Sequence, residues 1–446
     1  MKQKVDLIVH SARQLLTLGP FGEVEASSAV SIAPSCPRRG EAMNELGLIE
    51  DGAVAVSRGL TTLVGTTEEV LAQTEADEMI DASNRVVMPG FVDSHTHLVF
   101  AGSREDEFEW RLRGATYMEI MAAGGGIMST VRATRAATLP QLIAQSRGRL
   151  DRMLAHGTTT AEAKSGYGLN VDDELKMLEA IRQLDATHPI DLVPTFLGAH
   201  AVPVEFKGRT DEYVELVINE MLPLAERELR GLRGLRGNAS APSVPSVPFF
   251  CDVFCEDGAF SVSQSRRILE RAKELGFGLK IHTDEFKSLG GTRLAVELGA
   301  VSADHLVCTP VEEIEALAGS DTIAVSLPGT PFGLGHREYT PARQIIEAGG
   351  ALALATDLNP GTCYCESMQF IVALACRYLH LSPAEAIVAA TLNAAHAIGL
   401  GDKVGSLEIG KKADLLVLDI PNYRHLGYHF GVNLVERVIK GGQVVI

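Results

Sequence analysis

Residues 86–97 read Val86-Val-Met-Pro-Gly-Phe-Val-Asp-Ser-His95-Thr-His97, an apolar, β-rich run that closes on two histidines. Histidines at i and i+2 of an extended segment point to one face, so both can reach a single ion. Seven further apolar runs follow, at 157–163, 190–198, 249–255, 278–282, 300–305, 322–327 and 351–356. Helix-compatible segments stand between most of them, among them 172–184, 263–275, 311–318 and 341–348. With the run at 86–94 this makes eight βα units, which predict an α/β fold with a parallel (β/α)8 TIM-like barrel. A doubly wound open sheet is the rival pattern. No GxGxxG follows the first strand, which weakens its dinucleotide-binding version.

Outward from the barrel, both ends of the chain change style. The first 85 residues read as short strands and turns: a strand at Val5–Val9, an Asp51-Gly52 turn before AVAVSR, a strand at Thr61–Val64, and an irregular loop over 26–46. From Lys411 the same style returns in ADLLVLDI and VERVIKGGQVVI. The expectation is one small β-sandwich domain built from residues 1–88 and 404–446, around a barrel at 89–403; two unrelated terminal extensions are the alternative. LRGLRGNASAPSVPSVP, residues 232–248, is rich in Gly, Pro and Ser. It reads as a flexible surface insertion before the fourth strand, an inert loop in preference to a peptide-binding one.

A chain of 446 residues fits one barrel of ~250 residues plus a smaller unit. With 46% hydrophobic and 22% charged residues, wholesale disorder is excluded. Acidic residues exceed basic ones by 57 to 40, a net charge of −17, which argues against general binding of nucleic acid or anionic membrane. Substrate charge stays open, because one local arginine can hold an anion inside an acidic protein. No apolar run reaches ~18 residues, so no transmembrane helix is expected. The start, MKQKVDLIVHSARQLLTL, lacks the continuous apolar core and small-residue cleavage site of a signal peptide. Seven cysteines, an odd number with no CxxC pair, fit reduced thiols in a cytoplasm.

In such a barrel the reactive groups sit at the C-terminal strand ends. Those ends read, in order, Asp93-Ser-His95-Thr-His97; Glu162-Ala-Lys164-Ser-Gly-Tyr167; His200; Cys255-Glu256-Asp257; His282-Thr-Asp284-Glu285; Asp304-His305; Leu327-Pro328 with a Gly-rich loop; and Asp357-Leu-Asn359-Pro-Gly361-Thr362. His95, His97, His282 and Asp357 make a set that suits zinc or iron, with room for a water. One strand histidine alone is usually a hydrogen-bonded core residue; four candidate ligands at matching strand ends are harder to explain that way. A bound divalent ion lowers the pKa of its water from about 15.7 toward 7. Asp357 and Glu285 are both candidates for the proton acceptor, and His305 could orient the water or polarise a carbonyl. Each of the three could instead orient a metal ligand. Two-metal hydrolases on this architecture use a bridging ligand, often a carboxylated lysine on strand 4. The only strand-end lysine here is Lys164, on strand 2, which favours one ion.

The run Pro89-Gly-Phe-Val-Asp-Ser-His95-Thr-His97 resembles the metal-binding signature of the amidohydrolase superfamily. Narrower stretches are Phe100-Ala-Gly-Ser-Arg104-Glu-Asp-Glu-Phe108, Gly124-Gly-Gly-Ile127, Lys164-Ser-Gly-Tyr-Gly-Leu169, Phe196-Leu-Gly-Ala-His200, His282-Thr-Asp-Glu-Phe286 and Thr356-Asp-Leu-Asn-Pro-Gly-Thr362. Together they resemble the imidazolonepropionase family of histidine degradation, from about residue 47 to the C-terminus; residues 232–248 have no counterpart. The resemblance implies hydrolysis of the ring amide of 4-imidazolone-5-propanoate to N-formimidoyl-L-glutamate. It implies one zinc or iron ion per subunit, held at His95, His97, His282 and Asp357, and a homodimer. Arg104, Tyr167, His200, Glu285 and Thr362 would contact substrate; Asn359 and Gly361 would contact product. Thr283 departs from the family pattern, where alanine is expected; it should point away from the ion.

The chemistry of these residues agrees with that expectation. The substrate carries a carboxylate, for which Arg104 offers a planar fork and Tyr167 a neutral donor. The alternative is a surface pair of Arg104 with Glu105 or Asp106. His200 and Glu285 can meet the flat ring in its plane, and Gly361 allows close backbone approach, or merely serves the turn after Pro360. The expected mechanism has activated water attack the ring carbonyl, with ion and His305 stabilising the oxyanion and Asp357 or Glu285 carrying the proton to the leaving nitrogen. A deaminase of the same superfamily is the nearest rival, and a barrel that lost its site the more distant one. Gly124-Gly-Gly126 is too short for a phosphate loop, and is either a mobile segment over the site or a plain turn. Trp110 is expected to pack, and Cys363 and Cys365 to be buried or idle thiols.

Overall fold

A computed structural model describes residues 2–19, 36–115, 119, 123–231 and 248–446 of the chain. Five strands open it: β1 (Gln3–Leu16), β2 (Leu48–Ser57), β3 (Leu60–Thr66), β4 (Thr74–Asp81) and β5 (Val86–Pro89). Eight more follow: β6 (Phe91–Asp93), β7 (Thr158–Lys164), β8 (Asp191–Ala199), β9 (Phe250–Cys255), β10 (Gly278–Thr283), β11 (Ser302–His305), β12 (Ile323–Ser326) and β13 (Leu352–Leu354). The last three are β14 (Leu415–Leu418), β15 (Val435–Lys440) and β16 (Gln443–Val444).

Strands β6 to β13 lie in sequence order in one sheet, and every neighbouring pair is parallel. The first and last meet through a parallel bridge between Thr96 and Leu358. His97 N donates to Leu358 O at 2.9 Å and Asp357 N to His95 O at 3.0 Å, so closure lays the His-x-His segment beside the Asp357 loop. This is the expected barrel. Its strands are buried along nearly their whole length because helices cover the outer face. The covering helices show why they form. Leu139–Ala155 begins with a capping box between Thr138 and Gln141, and Val262–Glu274 with one between Ser261 and Gln264. The second buries Ser265, Ile268, Leu269 and Ala272, the spacing of one helical face.

The terminal strands form a second, mixed sheet in the order β16-β15-β14-β5-β1-β2-β3, with β4 also paired to β1. The sandwich expected from the termini is thus one continuous hydrogen-bonded sheet, its inner residues meeting in a cluster that includes Leu7, Leu15, Val54, Val87, Leu415 and Ile439. The chain passes from this sheet to the barrel through Gly90 alone. A Cβ there would lie 2.2 Å from Thr159 Oγ1, so only glycine fits.

Two readings need correction. Asp51-Gly52 is no hairpin turn: it lies inside β2, with Asp51 at φ +47, opposite a register shift of β1 between Val9 and Ala12. The extra residue of that shift is on β1, where Ser11 at φ +57 makes the bulge. The hairpin turn is Arg58-Gly59, where both φ values are positive, +50 and +77, as a tight two-residue loop requires. Trp110, expected to pack, is exposed at 37%. Of the loop expected at 26–46, residues 26–35 lie outside the described residues, as do 232–247 of the expected insertion; Gly40–Asn44 is a short 3-10 helix.

Candidate active site

The closed barrel brings the histidines of strands 1 and 5 and the aspartate after strand 8 to one point. Nε2 of His97 lies 3.3 Å from Nε2 of His95 and 3.2 Å from Nε2 of His282. Asp357 Oδ1 stands 3.5 Å from Nε2 of both His95 and His97. Donors about 2.0–2.1 Å from a zinc-sized ion, at tetrahedral corners, stand roughly 3.3–3.4 Å apart. The spacing of His95, His97 and Asp357 therefore fits one ion; His282 adjoins it through His97, and His282 and His305 form a second donor group with His95. The proton placement on His95 fits an ion as well. His95 Nδ1 is 2.6 Å from Asp304 Oδ2, which puts that ring proton on Nδ1 and turns the Nε2 lone pair inward, and Asp252 Oδ2 stands 2.9 Å from His282 Nδ1. Burial, with nearby positive groups, holds His95 and His97 well below the usual histidine range, so both are neutral donors.

Around this point the backbone is bent into an unusual region. Asp284, His305, Leu306 and Asp357 have φ of +55, +79, +61 and +54. Such strain in non-glycine residues gathers at functional sites, where the surroundings hold it. Asp357 Oδ2 accepts from Thr330 Oγ1, and burial pushes its carboxyl up to about 6. Glu285 Oε2 lies 3.7 Å from His305 Nε2. Burial, reinforced by the charges of Asp357 and Glu256, raises Glu285 well above the carboxylate range. Burial likewise lowers His305 well below the histidine range.

On the side of Tyr167, His200 stacks on His97 with ring centres 4.8 Å apart, and donates from Nδ1 to Gly166 O at 2.9 Å. Burial lowers His200 to about 3. Tyr167 is buried, its ring 5.3 Å from that of His200. Arg104 pairs with neither Glu105 nor Asp106. Its Nε and Nη2 donate to Glu107 Oε2 at 2.9 and 2.7 Å, because Glu107, one turn on, lies on the same helical face. A Cβ on Gly361 would lie 2.3 Å from Arg104 Nη1, so a side chain there would have to displace the guanidinium. The Asn359 amide is engaged within its own loop. It donates to Asp357 O at 2.7 Å and Thr362 Oγ1 at 2.9 Å, and accepts from the backbone N–H of Gly361 and Thr362 at 2.8 Å each. In the described structure Asn359 is therefore the organiser of the loop that carries Gly361 and Thr362. Gly126 is the first residue before the helix Ile127–Ala136, and its N–H donates to Glu107 Oε1 at 3.1 Å. Cys363 is buried and Cys365 partly so.

Asp252, Lys280, Thr330 and Glu174 were not singled out from sequence, and Glu162, Lys164 and Asp304 were read at strand ends with no place beside the histidines. Asp304 bonds His95, Asp252 lies beside His282, and Lys280, Lys164 and Glu162 complete a fully buried charged group. Thr330 holds Asp357, and Glu174 accepts three backbone N–H groups of the Tyr167 loop. One signal was available: a charged residue in a parallel strand covered on both faces must find a buried partner.

The amidohydrolase family model matches residues 254–445, and a second model of the same description matches 78–123. The chain is 56% identical to an imidazolonepropionase of Herpetosiphon aurantiacus over 412 residues, 92% of this chain and 94% of that one. It is 50% identical to one from Chloroflexus aggregans, over 99% and 98% of the two chains. Among solved structures, a zinc-bound adenosine deaminase from Xanthomonas campestris superposes with a TM-score of 0.70 at 19% identity, covering 100% of this chain and 93% of that one. Escherichia coli guanine deaminase superposes at 0.66 and 17%, covering 98% of each. At those identities the likeness is one of fold.

Proposed function

The chain belongs to the imidazolonepropionase family of amidohydrolases, and on that premise we propose that it opens the ring amide of 4-imidazolone-5-propanoate by hydrolysis, giving N-formimidoyl-L-glutamate in histidine degradation. The observation that carries this reading is the convergence of three imidazole nitrogens and Asp357 beside Glu285 and His305. His95, His97, His282 and Asp357 would hold one zinc or iron ion. When bound, such an ion supplies acidified water and an electrophile for a carbonyl oxygen.

The chain's own groups would do the rest. Asp357, raised to about 6, accepts a proton from the attacking water near neutral pH. Glu285, whose carboxyl is pushed upward by burial and its acidic neighbours, would supply one to the leaving ring nitrogen. His305 lies beside Glu285 and faces the charge that develops on the carbonyl oxygen. Arg104, braced on Glu107, and the Tyr167 hydroxyl take the propionate. His200 meets the ring in its plane, held by Gly166 O. Asn359 shapes the loop that presents Gly361 and Thr362 to substrate and product.

The reading also keeps two units, 1–88 with 404–446 and 89–403, supported by the two separate sheets. A cytoplasmic location rests on the cysteine pattern, and among the described residues no helix is long and apolar enough to cross a membrane. A homodimer finds support in the exposed Tyr428, Phe430 and Val432. The test is an ultraviolet assay on freshly made 4-imidazolone-5-propanoate. Ring absorbance should fall only with metal-loaded protein, while formimidoyl-glutamate appears. Ammonia release from guanine or cytosine, with the imidazolone untouched, would replace this reading by a deaminase.

A further inference from the structure

Glu162, Lys164, Asp252, Lys280 and Asp304 are fully buried, with side-chain exposures of 0%. Each isolated ion would cost several kcal/mol to bury, so the group persists through its pairing. The pairing is specific. Asp304 Oδ2, 2.6 Å from His95 Nδ1, is also 3.8 Å from Lys164 Nζ. Asp252 Oδ2, 2.9 Å from His282 Nδ1, is also 2.8 Å from Lys164 Nζ. One ammonium thus bonds the Asp252 oxygen beside His282 and stands within ion-pair range of the Asp304 oxygen bonded to His95. Glu162 Oε2 bridges Lys164 and Lys280, at 2.8 and 3.3 Å. A nitrogen of His95 and oxygens of Glu162 and Asp304 lie within 4.8 Å of one another, a donor set able to hold a cation. The two ammonium groups stand against those carboxylate oxygens instead.

We propose that Lys164 is a positioning residue for the ion-binding histidines. Its ammonium, with that of Lys280, takes the place of a second cation beside the site. Through the shared oxygens of Asp252 and Asp304 it fixes the rings of His282 and His95. The inference rests on the reading of His95, His97, His282 and Asp357 as ligands. Charge supports it: three carboxylates against two ammonium groups leave one negative charge, Asp357 adds another, and one divalent ion balances both. Without Lys164 the Asp252 carboxylate loses its nearest cation and no longer holds the His282 ring in one orientation.

The test loads the full-length parent and Lys164→Met with zinc, adds excess chelator, and follows zinc release. Lys164→Met should release zinc at least about tenfold faster, the low end of what losing an outer-shell partner costs, with an unchanged far-ultraviolet circular dichroism spectrum. Lys164→Met/Glu162→Gln, which removes one charge of each sign, serves if the single variant does not fold, and should also release zinc faster. Release at the parent rate from either folded variant overturns the proposal. A parent chain that takes up no zinc, iron or other divalent ion overturns the ligand reading, and this inference with it. Loaded parent with unchanged variant release overturns the inference alone.

Discussion

Asp357 is asked to do two things with two oxygens. Oδ1 faces His95 and His97, while Oδ2 accepts from Thr330. Asp357→Asn keeps the volume and removes the charge. Turnover should drop by roughly 10²–10⁴, the range for loss of a positioned base; near-normal activity in a metal-loaded variant would sink the assignment. Arg104→Lys keeps charge and loses the fork that both braces on Glu107 and meets a carboxylate. KM for the imidazolone should rise about 10–100-fold with kcat little changed, consistent with ~1.5–3 kcal/mol for a charged hydrogen bond. The candidate ligand histidines were legible because strand periodicity places His95 and His97 on one face. Asp252 and Lys280 were not, because in CDVFC and GLKIH a charged residue among apolar ones reads equally as the outward position of a half-exposed strand. Only the closed barrel shows that both faces are covered.

At the scale of elements, the Lys164–Leu169 segment is held by one side chain of the helix that follows. Glu174, in the first turn of Val171–Thr187, accepts from the backbone N–H of Gly166, Gly168 and Leu169 at 3.0, 2.8 and 2.8 Å. The same segment presents Tyr167 and, through Gly166 O, holds His200. Glu174→Gln removes the charge and part of the acceptor capacity. It should lower stability by about 1–3 kcal/mol in denaturant melts and raise KM more than it lowers kcat; a parent-like KM would show that the loop does not need the anchor. Barrel strands and their helices were legible because apolar run and amphipathic helix differ in period. The place of Asp51-Gly52 inside a strand was not, because the pair reads locally as a turn, and only its pairing with β1 shows that the strand runs through it.

At the scale of the molecule, the two sheets are tied by a charged cluster. Asp191, at the start of β8, lies 2.6 Å from Lys412 Nζ and 2.7 Å from Lys440 Nζ, and Lys440 Nζ is 2.6 Å from Asp414. Burial alone would raise Asp191, but the two ammonium groups outweigh it and hold the carboxyl below its usual range. A depressed carboxyl contributes stability above its unfolded pKa of about 3.9, and loses it as pH falls through the folded value. Asp191→Asn should therefore melt below the parent at pH 7, by roughly 1–3 kcal/mol given that Lys412 is 40% exposed. The gap should close as the pH is lowered below about 4; a gap that persists in acid would show that the cluster is not its source. The order of the strands also has a consequence for synthesis. One edge of Val86–Pro89 is completed by Leu415–Leu418, about 330 residues later in the chain. At ~5–20 residues per second a ribosome needs roughly 15–65 s to deliver that partner. For that interval the nascent chain carries an apolar strand with an open edge, which makes the newly started protein, more than the finished one, the form that depends on a chaperone's protection.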